Sequence, residues 1–338
     1  MRLYGAIDLH SNNSVAVILD EQDRPVYERR LPNDLSRIKC ALAPYREQLT
    51  GLAVESTYNW YWLVDGLMED GYQLHLVNTA AVKQYEGLKH TDDEHDARWL
   101  AHLLRLGILP EGYIYPKEKR GLRDLLRKRA QLIRHRTAQI LSVLNRLACC
   151  TSLMLDGDSL WELSDEEIDR LLPDANQALA VKSNLVVMRA LQEQIERVEK
   201  EVLRQMRPDF MFQKLQTVDG IGKILGLTIS LETGDIARFP TVGDYASYAR
   251  CVNSIKISNG KKKGEANRKN GNKYLAWAYV EAAHFAIRSQ ERIRRFYQRK
   301  SAQRNKIVAV KAVAHKLARA CYGVMRDNVP FEVERAFA

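Results

Sequence analysis

Apolar stretches short enough for strands open the chain and give way to longer stretches with helical spacing. Leu3 to Leu9 and Ser14 to Leu19 read as strands, with Asn12-Asn13 as the turn between them. Arg24-Pro25 leads into Val26 to Leu31, which completes a three-strand meander. Asp34 to Tyr45 has helical spacing behind an Asn33/Asp34 cap signal. Leu52 to Glu55 is a short apolar strand ending on a carboxylate, Tyr58 to Glu69 predicts a helix, and Tyr72 to Val77 a fifth strand. Helices are expected next over Thr79 to Tyr85 and Asp93 to Leu106.

Three antiparallel strands followed by helix, strand, helix, strand, helix is the order of a ribonuclease-H-like mixed sheet. A doubly wound nucleotide-binding fold would open β-α-β with a glycine-rich turn after its first strand, and no such turn occurs here.

Beyond this α/β part the pattern is almost entirely helical. Gly121 to about Ala148 is a long basic amphipathic helix carried by Leu122, Leu126, Ile133, Ile140 and Leu147. Ser183 to Met206 repeats apolar residues at Leu185, Met188, Leu191, Ile195, Val198 and Val202, which suits a coiled-coil arm or a helical hairpin packed on the body. Val218-Asp219-Gly220-Ile221-Gly222-Lys223 then resembles the turn of a helix-hairpin-helix. Its glycines permit a tight turn whose N–H groups, with Lys223, can meet a phosphate.

A chain of 338 residues has room for two domains and a spacer. Its 52 Lys+Arg against 42 Asp+Glu leave a net charge of +10, which points to a polyanionic partner. The excess is concentrated. One stretch from Lys117 to Arg146 includes Arg127, Lys128, Arg129 and Arg134. A second, from Lys256 to Lys273, includes Lys261, Lys262, Lys263, Arg268 and Lys269, and a third runs from Arg288 to Lys306. These are candidate nucleic-acid surfaces, with solvated helix faces as the plain alternative. No apolar run approaches the ~20 residues of a membrane span. The N-terminal residues lack the features of a signal peptide, so a cytoplasmic protein without a membrane partner is expected. Five cysteines without a C-x-x-C pair are expected to be buried free thiols.

The candidate chemistry is acidic. Asp8 ends the first strand and Glu55 the fourth, and these strands are neighbours in a ribonuclease-H-like sheet. A carboxylate ending a buried apolar strand is costly unless paired or metal-bound. Asp93 and Asp96 stand three apart on one helix face, with Asp92 as the alternative to Asp93. Four such groups would raise one another's pKa, and Mg2+ or Mn2+ would relieve the repulsion. Helix capping by Asp93 or Glu55 is the alternative. His90, His95 and His102 lack both a cysteine and a usual zinc spacing.

A second candidate lies in Ser254-Ile255-Lys256-Ile257-Ser258-Asn259-Gly260 and the three lysines that follow. A serine hydroxyl becomes a useful nucleophile only when its proton is removed and developing charge is stabilised. An exposed Asn-Gly turn flanked by solvated lysines is the plain reading of this segment.

Together these residues resemble the DEDD-type insertion-sequence transposases, which include bridge-RNA-guided recombinases and are related to Piv-type DNA invertases. The matching motifs are Ala6-Ile7-Asp8, Val54-Glu55-Ser56-Thr57, the Thr-Asp stretch around Asp93 and Asp96, and Val218-Asp219-Gly220-Ile221-Gly222. Ser258-Asn259-Gly260-Lys261 and Asn270-Gly271-Asn272-Lys273-Tyr274-Leu275 complete the set. The chain departs from the family's usual Thr-Asp-x-x-Asp-Ala by an extra residue after Thr91, and from its usual Ser-Ser-Gly or Ser-Gly by Asn259.

The resemblance implies a RuvC-like domain over residues 1–155 with the tetrad Asp8, Glu55, Asp93 and Asp96. A coiled-coil spacer over 156–206 and a transposase domain over 207–338 with nucleophile Ser258, or else Ser254, would follow. It implies strand exchange through a phosphoserine, donor and target DNA selected by a structured bridge RNA, and a homodimer or homotetramer. A water-using nuclease or Holliday-junction resolvase, and a non-catalytic nucleic-acid-binding protein, are the competing readings.

Overall fold

The computed structural model describes residues 1–82, 93–206, 209–252, 256–264 and 270–337. They form two compact units that divide between Lys117 and Glu118.

The first unit is built on a five-stranded mixed sheet in the order β3-β2-β1-β4-β5. β1 (Leu3–Leu9), β2 (Asn13–Leu19) and β3 (Pro25–Pro32) form the antiparallel meander, and β4 (Leu49–Glu55) and β5 (Leu74–Val77) run parallel to β1. The helices are α1 (Leu35–Leu42), α2 (Tyr61–Glu69) and α3 (Asp93–Arg105).

Side-chain alternation sorts the strands into two cores. Leu3, Ile7, Leu9, Leu52 and Val54 pack with Ile38, Leu42, Leu63 and Leu67 of α1 and α2. Ala6, Val15, Val17 and Ala53 pack with Ala97, Leu100 and Ala101 of α3 on the other face. Asp8 and Glu55 continue the parity of Ala6 and Ala53, so the period of two turns both carboxylates toward α3. The parallel register pairs Ala6 with Ala53 and Ile7 with Val54, leaving Asp8 and Glu55 as the next neighbours along adjacent strands.

Two expected helices differ. α1 ends at Leu42 and passes into a 3-10 turn over Ala43–Tyr45 that contains Pro44. The expected helix from Thr79 begins as a single turn, closed by Ala81 N–H on the Asn78 carbonyl at 2.9 Å. The rest of that stretch lies outside the described residues, as do Asp92, Ser254, Arg268 and Lys269.

The second unit opens with α4 (Lys117–Thr151), whose first residue belongs to the first unit, followed by α5 (Asp165–Leu171) and α6 (Ala175–Met206). α6 starts eight residues before the expected Ser183 because Asp174, just after Pro173, accepts from the N–H groups of Asn176 and Gln177 at 2.9 and 3.0 Å.

α4 and α6 run antiparallel, and hydrogen bonds join Arg129 to Glu199, Arg136 to Gln192 and Asn184 to Ser142. Leu185 and Met188 are buried with Val143 and Leu147, and Val202 with Leu126, so the apolar stripe is covered within the chain.

α7 (Phe210–Leu215), α8 (Lys223–Thr233), α9 (Val242–Tyr248), the two-stranded hairpin β6 (Lys256–Ser258) and β7 (Lys261–Gly264), and α10 (Lys273–Ser289) come next. α11 (Glu291–Gln303), α12 (Lys306–Asp327) and α13 (Val333–Ala336) complete the unit. Its core gathers Leu225, Ile229, Tyr245, Leu275, Tyr279, Val313 and Leu317.

The α7–α8 connection is the expected helix-hairpin-helix-like turn, but Gly220 serves packing there. Its φ is +83°, and a Cβ would stand 2.3 Å from the Ala282 carbonyl oxygen and 2.7 Å from the Ala286 nitrogen of α10. The cysteines are all free, yet Cys40, Cys149 and Cys150 are exposed, Cys251 is half-buried, and only Cys321 is the fully buried thiol expected. Cys149 falls on the face of α4 that the helical period turns away from Leu147, whereas Cys150 follows the Val143–Leu147 stripe and is exposed in the last turn of the helix.

Candidate active site

Asp8, Glu55 and Asp96 line one cavity of about 300 Å³, together with Thr79, Val82, Trp99 and Leu100. Asp8 is only 3% exposed. Asp96 enters from α3, one residue before the buried Ala97 that seats this helix on the sheet. Burial pushes the Glu55 carboxyl up to about 8, reinforced by its hydrogen bond with Asp8 and by the nearby charges of Asp8 and Asp96. Glu55 therefore holds a proton at neutral pH so long as nothing cationic enters. Three converging carboxyls with an all-oxygen donor set, one of them kept protonated by burial and by the other two, fit a hard divalent cation that would take the proton's place.

Asp93 stands on the same helix but is not among the residues lining this cavity. Its Oδ2 accepts from Arg30 Nη2 at 2.7 Å and lies 3.2 Å from His10 Nε2. The Arg30 hydrogen bond holds the Asp93 carboxyl below the usual carboxylate range, aided by the charges of His10 and Arg30. His10 Nε2 is also 3.3 Å from Asp8 Oδ2, so Asp8 belongs to both groups. Sequence reasoning missed His10 and Arg30. His10, two residues beyond Asp8 at a strand end, was a signal in the sequence. Arg30 reaches Asp93 only through the β2–β3 pairing and had none.

Ser258 stands in a hairpin whose Asn259-Gly260 turn has φ of +50° and +69°, the backbone that an Asn-Gly pair adopts most readily. Ser258 pairs with Lys261, and Ser258, Lys261, Lys262 and Lys263 are all exposed. Among the described residues no side chain hydrogen-bonds the Ser258 hydroxyl.

The basic residues divide. Lys128, Arg134, Lys223 and Lys273 are exposed, and Gly222 caps α8 at an exposed position. Arg127 instead makes a two-pronged ion pair with Glu232 at 2.6 and 2.7 Å, and Arg129 pairs with Glu199 at 2.6 Å. Glu232 is 4% exposed and also accepts from Asn272 Nδ2 at 2.7 Å, while Asn272 caps α10 through the N–H groups of Tyr274 and Leu275. Arg127 thus joins α4 to the start of α10 through the carboxylate at the end of α8. Glu232 was not singled out in the sequence, since a lone glutamate in an apolar helix has no local signature.

Two family models match the chain. A DEDD-type transposase model covers residues 6–149, and that of the Transposase IS116/IS110/IS902 family covers residues 212–298. The chain is also 24% identical over 240 residues, 68% of its length and 68% of the other's, to a probable family 20 transposase of Pseudomonas aeruginosa. A mixed sheet with carboxylates gathered at its strand ends, and matches to transposases over residues 6–149 and 212–298, define a DNA-recombining enzyme, a transposase. Within that class the chain belongs to the IS110-type DEDD transposases of insertion sequences.

Proposed function

We propose that the protein cuts and rejoins the DNA strands of its insertion sequence by a serine-based exchange at a RuvC-like acidic site. Asp8, Glu55 and Asp96, with Asp93 beside them, would hold Mg2+ or Mn2+. A bound cation there supplies Lewis acidity to the scissile phosphate and neutralises charge that builds on its oxygens.

Asp8 and Glu55 would hold the cation from the ends of β1 and β4, and Arg30 would keep Asp93 ionised and in place. Ser258 Oγ would attack phosphorus, forming an ester to the protein while the DNA oxygen departs as a free hydroxyl. Attack by a hydroxyl end of the partner strand would reverse the step without net hydrolysis. Lys261, Lys262 and Lys263 would meet phosphates beside it. The observation that carries this reading is the convergence of Asp8, Glu55 and Asp96 on one cavity in a chain of this family.

Residues 1–155 would act as the metal-binding domain, 156–206 as a spacer and 207–338 as the serine-bearing domain. A structured bridge RNA would pair with donor and target DNA, so the protein need supply mostly backbone contacts, which the exposed Lys128, Arg134, Lys223 and Lys273 would make. The active species would be a homodimer or homotetramer.

Radiolabelled element-end DNA incubated with the protein and Mg2+, followed by nuclease digestion, tests the chemistry. Label left on the protein and lost in Ser258→Ala is the expected result. Full cleavage by Ser258→Ala would instead establish hydrolysis by water, the reading of a nuclease or resolvase.

A further inference from the structure

The turn after β1 carries a side chain that the acidic tetrad leaves unexplained. His10 Nε2, Asp8 and Asp93 each offer a donor atom, and these atoms all lie within 4.8 Å of one another. Nε2 stands 3.3 Å from Asp8 Oδ2 and 3.2 Å from Asp93 Oδ2. The nitrogen is sealed from solvent and at ion-pairing distance from both carboxylates, yet neither contact has the alignment of a hydrogen bond. That arrangement leaves the nitrogen's lone pair or proton poorly used, which a cation held between the three groups would remedy. Neighbouring ligands at about 2.1 Å from an octahedral ion are about 3 Å apart. The spacing of His10 from its two carboxylates is therefore that of an edge of a coordination shell.

The backbone of His10 is held as a ligand's would be. Its carbonyl accepts from Asn33 Nδ2 and from Asn59 Nδ2, each at 3.0 Å. Asn33 is itself fixed by the Ser14 hydroxyl at 2.6 Å and Asn59 by the Thr57 hydroxyl at 2.9 Å. The turn is thus pinned from the end of β3 and from the loop after β4.

We infer that His10 is a nitrogen ligand of the bound divalent cation, shared with Asp8 and Asp93, and that it biases the site toward Mn2+ over Mg2+. This rests on the proposed reading that the acidic group holds a cation. Glu55 and Asp96, on the other side of Asp8, offer only oxygen, which does not separate the two metals strongly. An imidazole does, because first-row transition ions gain more from nitrogen than Mg2+ gains.

The experiment uses the full-length chain and Mn2+ as the probe. Mn2+ affinity is measured by electron paramagnetic resonance titration, Mg2+ affinity by competition, and nitrogen coordination by pulsed detection of 14N coupling to bound Mn2+. The wild-type protein is expected to show imidazole 14N coupling. His10→Ala and the size-conserving His10→Gln should both lose it, with Mn2+ affinity falling about tenfold or more and Mg2+ affinity less than about threefold.

Circular dichroism confirms that each variant is folded. Absence of the coupling in the wild type, its survival in both variants, or equal weakening of both metals would overturn the inference while leaving the acidic site standing. Failure of the wild type to bind Mn2+, or unchanged binding in Asp8→Asn, would instead remove the metal-site reading and the inference with it.

Discussion

Asp8 lies at the buried end of a central strand, whereas Ser258 lies on an exposed two-stranded hairpin beside an Asn-Gly turn. The carboxylates of the first unit are aimed by β-strand parity and by a helix seated on the sheet, so they stay together despite mutual repulsion. Nothing comparable holds the serine hydroxyl among the described residues. Firm anchorage in this part of the chain lies at the start of α10. There Gly271 has φ +86° with the Tyr248 carbonyl oxygen 2.4 Å from where a Cβ would stand, and Asn272 ties α10 to Glu232 and Arg127. One region is organised by its core. In the proposed reaction the other would be organised largely by the DNA it meets.

The sharpest test of that contrast removes one carboxylate. Asp8→Asn should reduce DNA strand exchange at least about a thousandfold, roughly 4 kcal/mol of activation free energy. Thermal melting of the cation-free variant should change little, because the amide oxygen keeps an acceptor for the Glu55 proton. Ser258→Ala should abolish the protein–DNA adduct as completely, with denaturant stability unchanged within about 0.5 kcal/mol, as for other exposed positions. If Ser258→Ala unfolded the protein, the hairpin would be a structural element and the comparison would fail.

Breaking the anchorage should act on stability instead. Glu232→Ala leaves the half-buried Arg127 guanidinium without its carboxylate and Asn272 without its acceptor, and should cost about 2–3 kcal/mol in urea unfolding. Arg127→Met paired with Glu232→Met, which removes both charges, should recover much of that loss.

The Glu55 proton makes the acidic region pH-sensitive in a defined direction. Its carboxyl titrates near 8 in the folded chain against an ordinary value of 4.5. Between those values the folded state binds the extra proton, so the cation-free protein loses stability as pH rises from 4.5 to about 8. Melting curves across this range in EDTA should fall with pH, and Glu55→Gln should flatten the fall. Divalent-cation affinity should rise with pH over the same interval, since binding displaces the proton.

The smallest expected effects lie on the open basic surface. Replacing Lys261, Lys262 or Lys263 singly by Ala should reduce the slope of log binding constant against log salt by about one unit each, without altering sequence preference. Arg129→Ala should leave that slope unchanged, because Arg129 is engaged with Glu199.

Much of the first unit was legible in the residues themselves. Strand parity and element order are local patterns, so all five strands, α3 and the carboxylates at two strand ends could be read from the chain. Asp96 was legible for the same reason, as a helical neighbour of buried Ala97 and Leu100. The separation of Asp93 from the cavity was not, since it depends on Arg30 arriving from a strand 63 residues away. The basic helix illustrates the same limit. Spacing places Arg127, Lys128 and Arg129 on α4, but only the positions of Glu232 and Glu199 divide them into paired and open charges.

By itself the sequence determined the strand meander, the carboxylates ending β1 and β4, the long amphipathic helices and the net positive charge. Each depends on periodicity or composition within a short span. The tertiary structure decided which acidic groups share a cavity, that His10 and Arg30 join them, and that the α6 stripe is covered by α4 of its own chain. It also decided that Gly220 is required by the approach of α10. Those outcomes turn on ångström-scale distances between residues far apart in the chain, and no local pattern encodes them.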